Sequence, residues 1–333
     1  MLLAIVIGVL VIYLVTKFFI SVPGKTLPDL LKQTMTKWFT VVFTLALVAV
    51  WFVAGLITLL TFTILLIRFL TPEMSLVMGT VMILLFVTLG CFMKADKVMY
   101  TVEIIFLLTL PVILFIFFKA YTSEYMEWDY VKVALTFINK GPSLLPTTAS
   151  FFAFLGVLNL ITFNQLFTIK QKFGWKQAIF ITIIGFSVLF TTYFIPIGLN
   201  GFENIESTMY PWVTSADALR LRYGIIERVV FLFLLFYLAM AVVSLLIHWH
   251  VTIELLKSVF NFNKLKIMNI RITPLIVIAI FSILTICSII YLDEFELYQY
   301  TGYYYIILGF LIPSMLVVFW MIKRRLKQHE KKA

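Results

Sequence analysis

Phe39–Ile67 reads FTVVFTLALVAVWFVAGLITLLTFTILLI, a run of 29 residues without a single charge. As one helix it is about 43 Å long, against a hydrocarbon core of about 30 Å. It is either one tilted span or two short ones. The flanking loops decide: splitting the run would place the lysine-rich segments on its two sides in opposite compartments, so one long tilted helix is expected.

Working outward, windows of about 20 residues give eight more apolar runs. The nine predicted spans are 2–20, 39–67, 74–92, 99–118, 147–169, 177–199, 225–247, 272–292 and 301–322. Of the 333 residues, 62% are hydrophobic and 13% charged, with a mean hydropathy of +1.07. A soluble enzyme is excluded, and the fold class expected is an all-α polytopic membrane protein forming a single integral membrane domain. The first run lacks a basic lead-in and a small-residue cleavage site, so it is kept as a span. Cys91 and Cys287 both fall inside apolar runs, which leaves no disulfide framework or zinc spacing.

The net charge of +10 would suggest a nucleic-acid partner on a soluble chain, but its placement speaks for a membrane. Nineteen basic residues follow the odd-numbered spans or, like Lys17, end one, while six fall in the intervening loops beside Asp293, Glu294 and Glu296. The positive-inside rule then puts the amino terminus outside and the basic tail 323–333 in the cytoplasm. Trp38, Trp175, Trp249 and Trp320 would line the inner interface. Trp128, Trp212 and the tyrosines 298, 300, 303, 304 and 305 would line the outer one. Segment 21–38, with Leu27, Leu30, Leu31 and Met35 at helical spacing among lysines, reads as an amphipathic helix on the inner face. Segments 120–146 and 200–224 are expected as ordered outer loops.

Function points first to Pro146–Gln165, PTTASFFAFLGVLNLITFNQ, where Gly156, Asn159, Asn164 and Gln165 interrupt apolar sequence. Polar groups at mid-bilayer need partners and glycine weakens a helix, so a discontinuous helix lining a pocket is one reading. The other takes Gly156 as a close-packing site and Asn159 as a structural hydrogen-bonding residue. Glu227 and Arg228 open the seventh span, as a structural or gating ion pair or as snorkelling side chains. Glu103 is close enough to the inner boundary to reach water. His248 and His250 flank Trp249, but residues two apart on a helix face different ways, so an interfacial pair is expected and no metal site. No catalytic or phosphate-binding motif occurs in a supporting context, so neither enzyme activity nor a cofactor is expected.

Several stretches together resemble the B subunit of spore germinant receptors, the endospore germination permease family of the amino acid/polyamine/organocation transporter superfamily. They are Pro23-Gly-Lys-Thr-Leu-Pro-Asp-Leu-Leu31 after the first span, Phe69-Leu-Thr-Pro72, Tyr210-Pro211, and Tyr223-Gly-Ile-Ile-Glu-Arg-Val-Val230. Phe152-Ala-Phe-Leu-Gly156 is similar to the superfamily's broken sixth helix. The resemblance implies an inverted-repeat, amino acid permease-like (LeuT-type) fold of ten helices with both termini cytoplasmic. On that frame the nine spans correspond to helices two to ten, and helix one is missing. Where the family often carries an acidic residue after the glycine, Val157, Leu158 and Asn159 stand here.

The same resemblance implies a receptor subunit of the spore inner membrane. With A and C subunits as partners, it would bind a nutrient, an amino acid or nucleoside, and trigger ion and dipicolinate release. The expected ligand-binding residues are Phe152, Phe154, Gly156, Val157 and Asn159, with Trp51 and Gly55 on the long second span. A transporter of the same fold, or a scaffold subunit that binds no ligand, are the competing readings. The intramembrane charges are too few and too peripheral for an ion-coupling pathway.

Overall fold

A computed structural model describes all residues except 140, 222–225, 261–265, 268–269, 272 and 331–333. The start of the Tyr223–Val230 motif and the end of the basic tail lie outside the described residues. The chain is built from helices: α1 (Leu2–Ile20), α2 (Leu27–Thr34), α3 (Lys37–Phe69), α4 (Leu76–Cys91), α5 (Ala95–Tyr121) and α6 (Trp128–Thr136). There follow α7 (Leu144–Phe152), α8 (Leu160–Phe163), α9 (Trp175–Asn200), α10 (Pro211–Ala218), α11 (Val229–Val259), α12 (Thr273–Tyr291) and α13 (Glu294–Glu330). A two-residue antiparallel ladder pairs Lys266–Ile267 with Ile270–Arg271.

Six of these helices are long and apolar enough to cross a bilayer, and the bent pair Leu144–Phe152 and Leu155–Leu166 makes up to seven. The predicted spans 74–92 and 272–292 fall on the shorter apolar helices α4 and α12. At 16 residues α4 is about 24 Å long, less than a full hydrocarbon core. The protein is a polytopic membrane protein. Run 39–67 is one continuous helix of 33 residues, α3, whose start is capped by the Thr36 hydroxyl accepting from the Phe39 N–H.

Segment 21–38 contains an amphipathic helix, α2, whose apolar face packs onto the rest of the protein. A capping box between Thr26 and Asp29 starts α2. Leu27, Leu30 and Leu31 are completely buried against the rest of the protein. Its carbonyl end receives the Arg325 guanidinium, which donates to Thr34 O. The first part of the basic tail is therefore the last turns of α13, fastened to α2. The acidic cluster opens the same helix, with Asp293 and Glu296 exchanging side-chain and backbone bonds of 2.7 and 3.0 Å. The two segments expected as outer loops carry α6 and α10.

α3 and α11 form the most extensive helix pair and pack antiparallel. Gly55 permits their approach: a Cβ there would come within 2.4 Å of Trp249 Nε1. Trp249 is fully buried in the core between Phe52 and Phe281, because α11 runs on to Val259 rather than stopping at 247. The interfacial placement of Trp249 is thus corrected. Tyr304 is likewise buried, while Tyr298, Tyr300 and Tyr303 are exposed as an interfacial belt requires.

The second close approach involves Phe154. Its ring lies between α1 and α9, and a Cβ on Gly8 or Gly185 would meet it at 2.4 or 2.6 Å. Replacing Phe154 by Ala should lower unfolding stability on the order of 3 kcal/mol, since lipid does not refill a closed interior site. Gly185→Leu should destabilise the parent chain and cost about 1–2 kcal/mol less in the Phe154→Ala background. Thermal unfolding of the four detergent-purified forms measures this coupling, and strictly additive losses would show that ring and glycine do not share the space.

Candidate functional site

The stretch Pro146–Gln165 does break. α7 ends at Phe152, the chain turns at Ala153 and Phe154, and a 3₁₀ segment over Leu155–Asn159 leads into α8 and a second 3₁₀ turn over Asn164–Leu166. The two halves are bent by 61°. The 3₁₀ form is tighter and bonds less well than an α-helix, so such a stretch within a membrane helix needs outside support.

Three contacts supply it. Phe154 is wedged between Gly8 and Gly185 at the bend. Trp51 Nε1 on α3 donates to Asn159 Oδ1 at 2.8 Å, across 108 residues of chain. Asn164 Nδ2 donates to both Val22 O and Lys25 O at 2.9 Å, tying the far end to the α1–α2 connection. Trp51 and Asn159, expected separately as ligand contacts, are therefore partners of each other.

The remaining expected residues divide. Phe152 packs its ring 5.3 Å from Tyr305 and 6.5 Å from Tyr304, whose hydroxyl donates to Val50 O at 3.3 Å. Val157 is half-buried against the same core. Gly156 is exposed, and nothing lies within 4 Å of a Cβ placed on it, so it is not a close-packing glycine. Gly55 is one, against Trp249, and does not face the bend as a pocket residue. The sequence alone places both tyrosines at the outer interface. The signal that separates them is helical phase: Tyr304, Leu308, Met315 and Ile322 are all buried on one face of α13.

Glu227 and Arg228 precede α11 instead of opening it. Arg228 faces Arg220 in an antiparallel bridge and its guanidinium pairs with Asp217 on α10, not with adjacent Glu227. Glu227 is exposed, and its carbonyl accepts from Leu221 N–H at 2.8 Å. His248 and His250 are packed among the helices. The Nδ1 of His248 lies 2.6 Å from Ser244 O. His250 is buried and stacked on Phe163 at 5.5 Å, with no hydrogen-bond partner for either ring nitrogen among the described residues.

A cavity of about 550 Å³ lies elsewhere, between α3, α5, α9, α10 and α11 near the ends away from the lysine-rich loops. At its rim Arg68 pairs with Glu294 and stands 5.8 Å over the Tyr210 ring. Burial, and then the Glu294 carboxylate beside it, push the Tyr210 hydroxyl's pKa up, so the phenol stays neutral.

The Arg228–Asp217 pair is about two-fifths exposed, so its coupling should be below about 1 kcal/mol and fall with salt. Thermal unfolding of Arg228→Ala, Asp217→Ala and the double variant at low and high salt tests this, and a coupling well above that value at high salt would mark a desolvated, structural charge pair.

Residues 1–296 match the family model described as spore germination protein. No curated protein and no solved structure gives a significant match. With nearly nine-tenths of its length in that match, the chain belongs to the spore germination protein family.

Proposed function

We propose that this protein is the nutrient-sensing B-type subunit of a spore germinant receptor, built on the inverted-repeat permease fold and acting without catalysis alongside A and C subunits in the spore inner membrane, amino terminus outside and carboxyl terminus cytoplasmic. Family membership supports the germination role. The observation that carries the sensing role is the broken helix tied to α3 by a hydrogen bond from Trp51 to Asn159.

The junction has the parts a small nutrient needs. The bend leaves backbone groups outside regular helix hydrogen bonding, and such groups recognise carboxylate or ammonium without a charged side chain. Asn159 adds an amide that both donates and accepts. Phe152, Tyr304 and Tyr305 give an aromatic wall, and Gly156 leaves open space. A ligand shifts a two-state equilibrium only by binding one state better. A nutrient that competes for the Asn159 amide does so, because it weakens the tie between the broken helix and α3 in one state alone.

The scaffold reading keeps one observation in its favour. Gly55 and Phe154 are engaged in close packing, and none of the residues expected to bind ligand lines any of five cavities found among the described residues.

Spores carrying Asn159→Ala, Trp51→Phe or Gly156→Leu separate the two. Dipicolinate release is followed against a panel of amino acids and nucleosides, with protein levels measured by immunoblot. Sensing at the junction predicts normal levels with a nutrient response shifted at least tenfold in concentration or in preference. Unchanged responses in all three variants would make the protein a scaffold, and loss of the partner subunits with loss of this chain would agree with that.

A further inference from the structure

The 550 Å³ cavity shares no residue with the broken-helix junction and has a chemistry of its own. Six rings line it: Phe117, Tyr210, Trp212, Phe233, Phe236 and Tyr237. Trp212 and Phe233 are nearly parallel, 6.2 Å apart at 7°, and Phe233 and Tyr237 continue the stack at 6.1 Å and 8°. The indole is fixed in that stack because its Nε1 donates to Thr192 O at 3.0 Å. Its hydrogen-bonding edge is thus spent on the protein.

Among the described residues, no Asp, Glu, Lys, Arg or His lines the cavity. At the rim, Arg68 and Glu294 pair with one another. A free amino acid would bring a carboxylate and an ammonium with no counter-charge, which an apolar site rejects. The polar groups within are hydroxyls, those of Thr61, Tyr210 and Tyr237 among them. A cavity of this size lies in the range of small-molecule sites, and offset stacking favours flat rings.

We propose that this cavity is a second small-molecule site, for an uncharged one- or two-ring aromatic compound of low polarity, separate from the nutrient site proposed at the broken helix. Such a ligand lays its ring against the aromatic faces that line the cavity and offers at most one hydroxyl or N–H to Thr61 or Tyr237. It touches α3 and α11, the helix pair on which Trp51 is held, so occupancy bears on the same core from the opposite end.

The unmodified full-length protein, purified in detergent, tests this by photolabelling with 3-trifluoromethyl-3-phenyldiazirine, with adducts mapped by mass spectrometry and excess indole as competitor. The expected result is labelling within 209–213 and 233–240 that excess indole removes, while adducts on lipid-facing positions persist. Met240→Trp and Ile113→Phe, which fill the cavity from two sides, should each cut the competable labelling at least tenfold with unchanged elution and thermal unfolding. Should either variant fail to fold, the unmodified protein decides alone. The absence of any indole-competable adduct there would overturn the site, as would equal competition by phenylalanine, which carries the same kind of ring on a zwitterion. Neither outcome depends on the germination response of the junction variants.

Discussion

The Phe154 ring holds the bend, and much of the interior is arranged around it. A residue at a helix break would ordinarily leave a hole or a strained backbone. Here α1 and α9 each present a glycine to it, so the ring closes the gap that the bend opens. Lipid tails are as apolar as the protein interior, so packing of this kind, and not the hydrophobic effect, joins membrane helices. Two small residues and one large one thus place α1, α7 and α9 together. Gly55 and Trp249 do the same for α3 and α11.

With those two contacts fixed, the polar residues of the broken helix have little choice of partner. Asn159 meets Trp51 and Asn164 meets the carbonyls of the α1–α2 connection. These bonds satisfy groups that the bilayer would penalise, and they pin the two ends of α8 to different parts of the molecule. The polar tie to α3 is a neutral hydrogen bond between Trp51 and Asn159. It is the natural place for a ligand to act.

Much of this was legible in the sequence. An uncharged 29-residue run announced α3, and a glycine with three amides in an apolar stretch announced the break. What the sequence hid was pairing across long separations. Nothing local to Gly55 tells that Trp249 lies on it, and nothing near Trp51 indicates Asn159, 108 residues away. Boundaries also misled where hydropathy falls before the helix ends: α11 continues to Val259, which turns His248, Trp249 and His250 from interfacial into interior residues. Arg228 reaches Asp217 through a loop contact that helix periodicity does not contain. The aromatic cavity was invisible for the same reason, since its rings come from α5, α10 and α11 and the loop before α10.

The central claim, that nutrient acts at the broken helix, meets its most direct test at Gly156. This position is exposed with open space around it, so Gly156→Cys fits without strain. With Cys91 and Cys287 replaced by Ser, it is the sole thiol of the chain. The rate of its modification by a methanethiosulfonate reagent, in membranes holding the assembled receptor, is measured with and without the nutrient that drives dipicolinate release. The account predicts that the nutrient slows modification at least several-fold and that an inactive analogue does not. An identical rate in the presence of saturating nutrient would contradict it.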